Sequence, residues 1–345
     1  GSNDWVVAEI DESDGTIDGF SPEITVTVNL DWDHPDHYRQ PADLEETFAA
    51  LFARTRGTVL VNDACPRSLR LAGPAGPAVL TFGRRGDFSG GITEETAEGM
   101  TLELGGRFGP VVAVVRARGE FNAANALAAL AAVQLMGVAP APRLLADYGG
   151  VRRRQEVLPA VNGLTVIGDY AHHPAEIRAL LASLRSRLAG GNRLIVVFQP
   201  HRFSRTHQFK AELAAALALG DSVHLLDVYP AGEAPIAGGT TADIYAELKR
   251  GAPALPVSYL PGDDAEFLRA LTRNARAGDL VAFVGAGDID EKARAWLLLL
   301  EQETAKEKRW DDFVAAVRPR LSSAAKLRRE EPLAPKTTLR VGGAA

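Results

Sequence analysis

Residues 166–176, VIGDYAHHPAE, decide the fold. A short apolar run ends on Asp169, two adjacent histidines follow, and Pro174 supplies the fixed φ that suits the first turn of a helix. An apolar run stopping at polar groups just before a helix start predicts a buried parallel strand with site residues at its C-terminal end. The chain has only seven histidines, so His172 and His173 side by side at such a position call for an explanation. They line a ligand crevice, or His173 caps the helix, and the two roles are compatible for His173.

Downstream and around this stretch the same rhythm repeats. LTVIGDY (164–170), RLIVVFQP (193–200), SVHLLDVY (222–229), PVSYL (256–260) and DLVAFVG (279–285) read as strands. Helical patterns at 175–189, 206–219, 241–250, 264–276 and 289–302 separate or follow them. Strand and helix in strict turn imply right-handed crossovers and a parallel, Rossmann-like sheet. Upstream, 5–10 and 24–29 read as strands ending in polar residues, 42–55 as a helix, 58–62 as a strand and 122–136 as an alanine-rich helix. Residues 66–118, rich in Gly and Arg with short β-type runs, read as antiparallel strands and loops. Residues 301–330 are charged and helix-forming without a following strand, and read as a linker or appended helix.

At 345 residues the chain fits two domains or a little more, and 46% hydrophobic against 24% charged residues allows a real core. The net charge is −6 and the pI near 5.7, with arginines scattered along the chain, which argues against nucleic acid as a partner. Cys65 is the only cysteine, excluding an internal disulfide framework and a thiolate metal cluster and fitting a reducing, cytoplasmic setting. No apolar run reaches the roughly 18 residues of a membrane span, and the start shows no signal peptide.

Three constellations carry chemistry. In AEIDESDG (8–15) and NLDWDHPDH (29–37), two strand ends present carboxylates and a histidine. Such groups converge on a hard divalent cation that keeps several waters and bridges phosphates. Glu9 and His34 are the candidate ligands, the alternative being solvated acidic turns. In GEFNAANALAAL (119–130), Asn122 and Asn125 lie one turn apart and face the edge of a base, unless Asn122 is an ordinary N-cap. In GVRRRQEV (150–157) and QPHRFSR (199–205), Arg202 and Arg205 lie three apart beyond a strand, a clamp for phosphate or carboxylate with His201 beside them. Asp169, His172, His173, Arg202 and Asp227 all fall at or after strand C-termini, where the crevice of a doubly wound sheet lies. GAGDI (285–289) is a tight strand-to-helix turn.

Taken in order, AEIDESDG, NLDWDHPDH, GEFNAANA, GVRRRQE, DYAHHP, QPHRFSR and LDVYPAGE resemble the Mur ligase family, in its alanine-adding branch, over roughly residues 4–300. The resemblance implies an α/β chain: a partial central ATPase domain (1–150) followed by a Rossmann-like ligase domain (151–300). It implies ATP and Mg2+ as cofactors and UDP-N-acetylmuramate and L-alanine as substrates. ATP would phosphorylate the lactyl carboxylate, and the amine would attack the acyl phosphate. Glu9 and His34 would bind magnesium, Asn122 and Asn125 approach adenine, Asp169 the ribose, and Arg153 the nucleotide. His201, Arg202 and Arg205 would hold the transferring phosphoryl group, with His172 in the same crevice.

Departures from the pattern shape the expectation. No glycine-rich loop ending in GKT or GKS occurs anywhere in the sequence, so the phosphate cradle is missing and the chain reads as an internal piece. Phe121 stands where the pattern often has His, and Gln155 where Phe is common. Residues 39–56 contain no lysine, in keeping with the alanine-adding branch. The tail PLAPKTTLRVGGAA (332–345) resembles the opening of the UDP-N-acetylenolpyruvoylglucosamine reductase family, implying a fusion, with FAD if a reductase domain follows. The competing readings are a sister ligase that recycles a murein tripeptide and a non-catalytic nucleotide-binding scaffold.

Overall fold

A computed structural model describes residues 5–73, 76–139, 141–159, 161–262, 264–306 and 309. The first sheet runs in the order β1 (Ile24–Thr27), β2 (Thr58–Asn62), β3 (Ala78–Gly83), β4 (Phe88–Glu95), β5 (Met100–Gly106), β6 (Val111–Val115). Its first four strands pair in parallel and its last three antiparallel. Helices α1 (Pro41–Arg54), α2 (Pro66–Ala72) and α3 (Glu120–Leu135) belong with it, and α3 lays Ala123, Leu127 and Leu130 into the core beside Phe82, Phe88 and Leu102.

The second sheet contains β7 (Glu156–Leu158), β8 (Thr165–Asp169), β9 (Leu194–Phe198), β10 (Ser222–Leu225), β11 (Val257–Tyr259) and β12 (Leu280–Val284). Their spatial order is β11-β10-β9-β12-β8-β7, all pairs parallel except β7 with β8. Helices α4 (Pro174–Arg185), α5 (Phe203–Leu217), α6 (Thr241–Gly251) and α7 (Asp264–Asn274) connect the parallel strands. Every residue of β9 and β12 is buried, as expected of central strands covered on both faces. The expected alternation is therefore present, and the strand ends carrying Asp169, Gln199 and Gly285 meet through Gln199 N–H to Val284 O and Gly285 N–H to Asp169 O.

Two expectations need correction. Residues 5–10 form no strand, and Val6 and Val7 are 91% and 83% exposed. A β-type composition yields a strand only where a ladder partner is available, and the sheet's edge among the described residues is β1. The stretch 66–118 is not purely antiparallel: it opens with α2 and contributes β3 to the parallel part. The chain divides into two compact units at Arg294 and Ala295. Both sheets lie in the first. The described part of the second, 295–306 and 309, is helical, with Thr304 Oγ1 donating to Leu300 O over 2.8 Å. The expected linker lies outside the described residues from 310 onward, as does the whole tail 331–345. Among the described residues no helix is long and apolar enough to cross a membrane.

Candidate functional site

The loop between β1 and α1 meets the C-terminal ends of β8 and β9. Asp33 in that loop and Arg205 in the first turn of α5 form a two-pronged pair: Nε to Oδ1 at 2.8 Å and Nη2 to Oδ2 at 3.0 Å. The Arg205 side chain is only 3% exposed. Burial alone would raise the Asp33 carboxyl, but the hydrogen bonds and charge of Arg205 outweigh it and hold the group well below the usual carboxylate range. A planar fork held this way is specific as well as strong.

Arg205 also fixes a histidine. Its Nη1 donates to His201 Nδ1 at 3.2 Å and lies 3.3 Å from His201 O. Because Nδ1 accepts, neutral His201 carries its proton on Nε2. Burial first, and then the positive charges of Arg205 and Arg202, push its pKa down to about 4. The ring stacks on Tyr229, centroids 5.6 Å apart and planes 7° from parallel.

The two adjacent histidines take different roles. His173 caps α4: Nδ1 accepts from Ala175 N–H, and Glu176 completes the box by accepting from His173 N–H. Its Nε2 donates to Trp32 O at 3.0 Å, tying α4 to the β1–α1 loop. His172 Nδ1 meets Tyr170 O at 3.0 Å, so that nitrogen is the donor. Nε2 is then the unprotonated atom, 3.8 Å from Asp33 Oδ2, and the His172 ring lies 5.9 Å from that of His201. Burial and the nearby Arg205 lower the His172 pKa.

Arg202 and Arg205 do not share one helix face. Arg202 is the N-cap of α5 with φ +69°, outside the helix face, and its Nη1 lies 2.6 Å from Asp36 Oδ2 and 3.6 Å from Glu233 Oε1. It keeps 30% side-chain exposure, whereas most donors of Arg205 are already engaged. Left-handed backbone also occurs at His34 (φ +54°) and Arg153 (φ +61°), so three candidate residues sit in a conformation that side chains resist.

The remaining candidates are placed as follows. Asp169 is 7% exposed, and its two oxygens accept N–H from Ala171 and Gln155, both at 2.8 Å. Burial raises its pKa despite those bonds. Arg153 donates to Gly285 O and Gly287 O at 3.2 and 2.6 Å and covers the Tyr170 ring at 4.8 Å. Asn122 is not an N-cap: Gly119 holds that position, and Asn122 Nδ2 donates to Arg118 O at 2.8 Å while Asn125 is exposed. Asp227 accepts from Tyr259 OH and Gly262 N–H.

Glu9 is exposed and has no contact with His34. His34 Nε2 instead lies 3.8 Å from Glu12 and 3.9 Å from Asp33, and its buried Nδ1 has no hydrogen-bond partner among the described residues. No group of three or more His, Cys, Asp or Glu is placed to hold a metal among the described residues. The His34 imidazole, with the Glu12 and Asp33 carboxylates near its Nε2, still fits a cation that takes one or two protein ligands and otherwise water and phosphate. Sequence reasoning missed Asp33 and Asp36, although both lie in the same DWDHPDH run as His34. It also missed Glu233, which accepts from Ser204 N–H and Oγ and sits by Arg202.

A family model described as Mur ligase middle domain matches residues 2–133, and one described as Mur ligase, glutamate ligase domain matches residues 153–287. A UDP-N-acetylmuramate--L-alanine ligase of Renibacterium salmoninarum is 38% identical over 306 residues, covering 86% of this chain and 64% of that protein. One from Paenarthrobacter aurescens is 39% identical over 298 residues, covering 84% and 63%. The chain thus spans less than two thirds of the length of these relatives. Among solved structures, the UDP-N-acetylmuramate-alanine ligase MurC of Thermotoga maritima shares the fold at TM-score 0.65 and 24% identity, over 84% of this chain and 62% of that one. The MurF ligase of Thermotoga maritima in complex with ADP does so at TM-score 0.62 and 18% identity, over 83% and 63%.

Proposed function

From the premise that the chain belongs to the Mur ligase family, we propose that it supplies part of an ATP-dependent ligase joining L-alanine to UDP-N-acetylmuramate through an acyl phosphate. The names of the relatives at 38–39% identity support the substrates. The observation that carries the chemistry is the cluster of Asp33, His172, His201, Arg202 and Arg205 where the β1–α1 loop meets the strand ends of the second sheet. In this reading residues 1–150 are the central ATP-binding part and 151–300 the C-terminal ligase part.

The geometry refines the roles. Arg202, half-exposed and held only by carboxylates, is the guanidinium that meets the transferring phosphoryl group or the carboxylate it activates. Arg205 positions His201 and Asp33 from behind and touches no substrate. His201 Nε2–H donates to developing negative charge, and the bare Nε2 of His172 is the available proton acceptor for an incoming amine. Asn122, Asn125, Arg153 and Asp169 form the nucleotide side, with Asp169 and Arg153 shaping the 153–156 loop through the backbone bonds above. His34 would hold Mg2+, which when bound neutralises phosphate charge, while Glu9 as placed does not reach the same ion. The chemistry is mostly positioning and charge neutralisation.

The test is phosphate release from ATP with UDP-N-acetylmuramate and Mg2+, with and without L-alanine. With no GKT or GKS motif in its sequence, the chain alone gives no alanine-dependent release. Joined behind a relative's phosphate-loop and UDP-sugar segments, it does. Release by the joined protein with a murein tripeptide but not with L-alanine would replace this reading with the recycling ligase, and release with neither would leave the scaffold.

A further inference from the structure

Arg202 carries both of its carboxylate contacts on one nitrogen: Nη1 lies 2.6 Å from Asp36 Oδ2 and 3.6 Å from Glu233 Oε1. Neither Nε nor Nη2 of this guanidinium makes a hydrogen bond among the described residues. The Nε–Nη2 edge is the one that forks onto two oxygens of one anion, as Arg205 does with Asp33. In Arg202 that edge is left open while the opposite corner is held.

Of the two carboxylates at that corner, Glu233 is the one fixed in place. Its Oε2 accepts Ser204 N–H at 2.9 Å, its Oε1 accepts Ser204 Oγ–H at 2.6 Å, and its own N–H donates to Pro230 O at 2.9 Å. The turn that carries it has a single shape: Ala231 and Gly232 take φ of +48° and +87°, and a side chain in that region persists only where its surroundings dictate it. Tyr229 N–H donates to Pro200 O and Arg202 N–H to Tyr229 O, while the Tyr229 ring stacks on His201. Residues 229–233 are thereby docked on 200–204. Asp36, by contrast, reaches Arg202 from the β1–α1 loop. Arg202 is the N-cap of α5 without a side-chain cap bond, and Glu233 serves the first-turn N–H of Ser204 instead. A cap needs only the Ser204 bonds; the approach to Arg202 Nη1 does not serve it.

We propose that Glu233 is a positioning residue for the ligation step: fixed to α5 through Ser204, it holds the Nη1 corner of Arg202 so that the Nε–Nη2 edge faces the substrate's oxyanion. Glu233 itself touches no substrate. The inference deepens the function proposed above and rests on it for the identity of that oxyanion.

Two measurements test it. In the joined protein, Glu233→Gln keeps an acceptor for Ser204 N–H and removes the charge; kcat for alanine-dependent phosphate release falls about tenfold or more, with the KM for ATP changed by less than about twofold. In an Arg202→Gln background the same change alters kcat by less than about twofold, because the group it acts through is gone. An undiminished kcat, or an equal loss in both backgrounds, would overturn the proposal and leave Glu233 as a cap of α5. The second measurement uses the 15N-labelled chain as it stands. The Arg202 side-chain signal, assigned by its absence from Arg202→Gln, shows slower rotation about Nε–Cζ in the wild type than in Glu233→Gln; equal rotation in the two would also overturn the proposal. This measurement needs no turnover, so a joined protein that releases no phosphate with any acceptor refutes the ligase function and leaves the positioning result intact.

Discussion

Arg205 shows how one residue organises several others. Its removal leaves the Asp33 carboxylate buried without its partner, a situation that costs about 3–5 kcal/mol. Arg205→Met should lower stability to urea by that order, and adding Asp33→Leu should recover most of it; equal loss in the single and double variants would contradict the pairing. His224 gives a second residue-scale test. It is buried in β10 with Nε2 accepting from Asn274 Nδ2 and Nδ1 bonded to Ser258 Oγ. Burial, then Arg193, pushes its pKa to about 4. The unfolded chain takes up this proton first as pH falls, so the contribution is present above about 6.5 and is lost between about 6.5 and 4. At full strength this is at most about 3 kcal/mol, and His224→Gln should flatten the stability slope in that window. Adjacency of His172 and His173 was legible in the sequence, but which ring caps and which faces the crevice depends on partners 141 residues away in the chain.

At the scale of elements, local signals placed the second sheet's helices well. Pro174 and Glu176 mark the start of α4, and His173→Ala, which removes both the cap and the bond to Trp32 O, should cost about 1–2 kcal/mol in thermal melts. Gly119, the N-cap of α3, has φ +90°, and a Cβ there would lie 2.5 Å from Ser183 Oγ. Gly119→Ala should destabilise by about 1–3 kcal/mol, with Ser183→Gly relieving the clash but not the backbone strain. Additivity of the two changes would contradict that contact. The expected strand at 5–10 failed because composition reports a preference for pleated, half-buried surface and carries no information about whether a neighbour is present. Antiparallel pairing of β4 to β6 was readable from short β-type runs, while the parallel membership of β3 rests on a register that sequence periodicity does not encode.

For the whole molecule, three links join the β1–α1 loop to the second sheet's helices: Trp32 O to His173, Asp33 to Arg205, and Asp36 to Arg202. They bring groups separated by more than 160 positions into one crevice, a convergence that neither the order nor the spacing of the motifs encodes. The buried Asp33 pair resists screening and the half-exposed Asp36 pair does not. In the joined ligase, Arg202→Gln should therefore reduce alanine-dependent phosphate release about 100-fold or more with a melting point within a degree or two of wild type, since only an interaction made near the transition state is lost. Equal losses in rate and stability would assign Arg202 a structural role. The most direct measurement is oxygen transfer: UDP-N-acetylmuramate labelled with 18O in its lactyl carboxylate, incubated with ATP, Mg2+, L-alanine and the joined protein. An acyl phosphate route delivers one 18O atom to each inorganic phosphate released; phosphate free of label would contradict it.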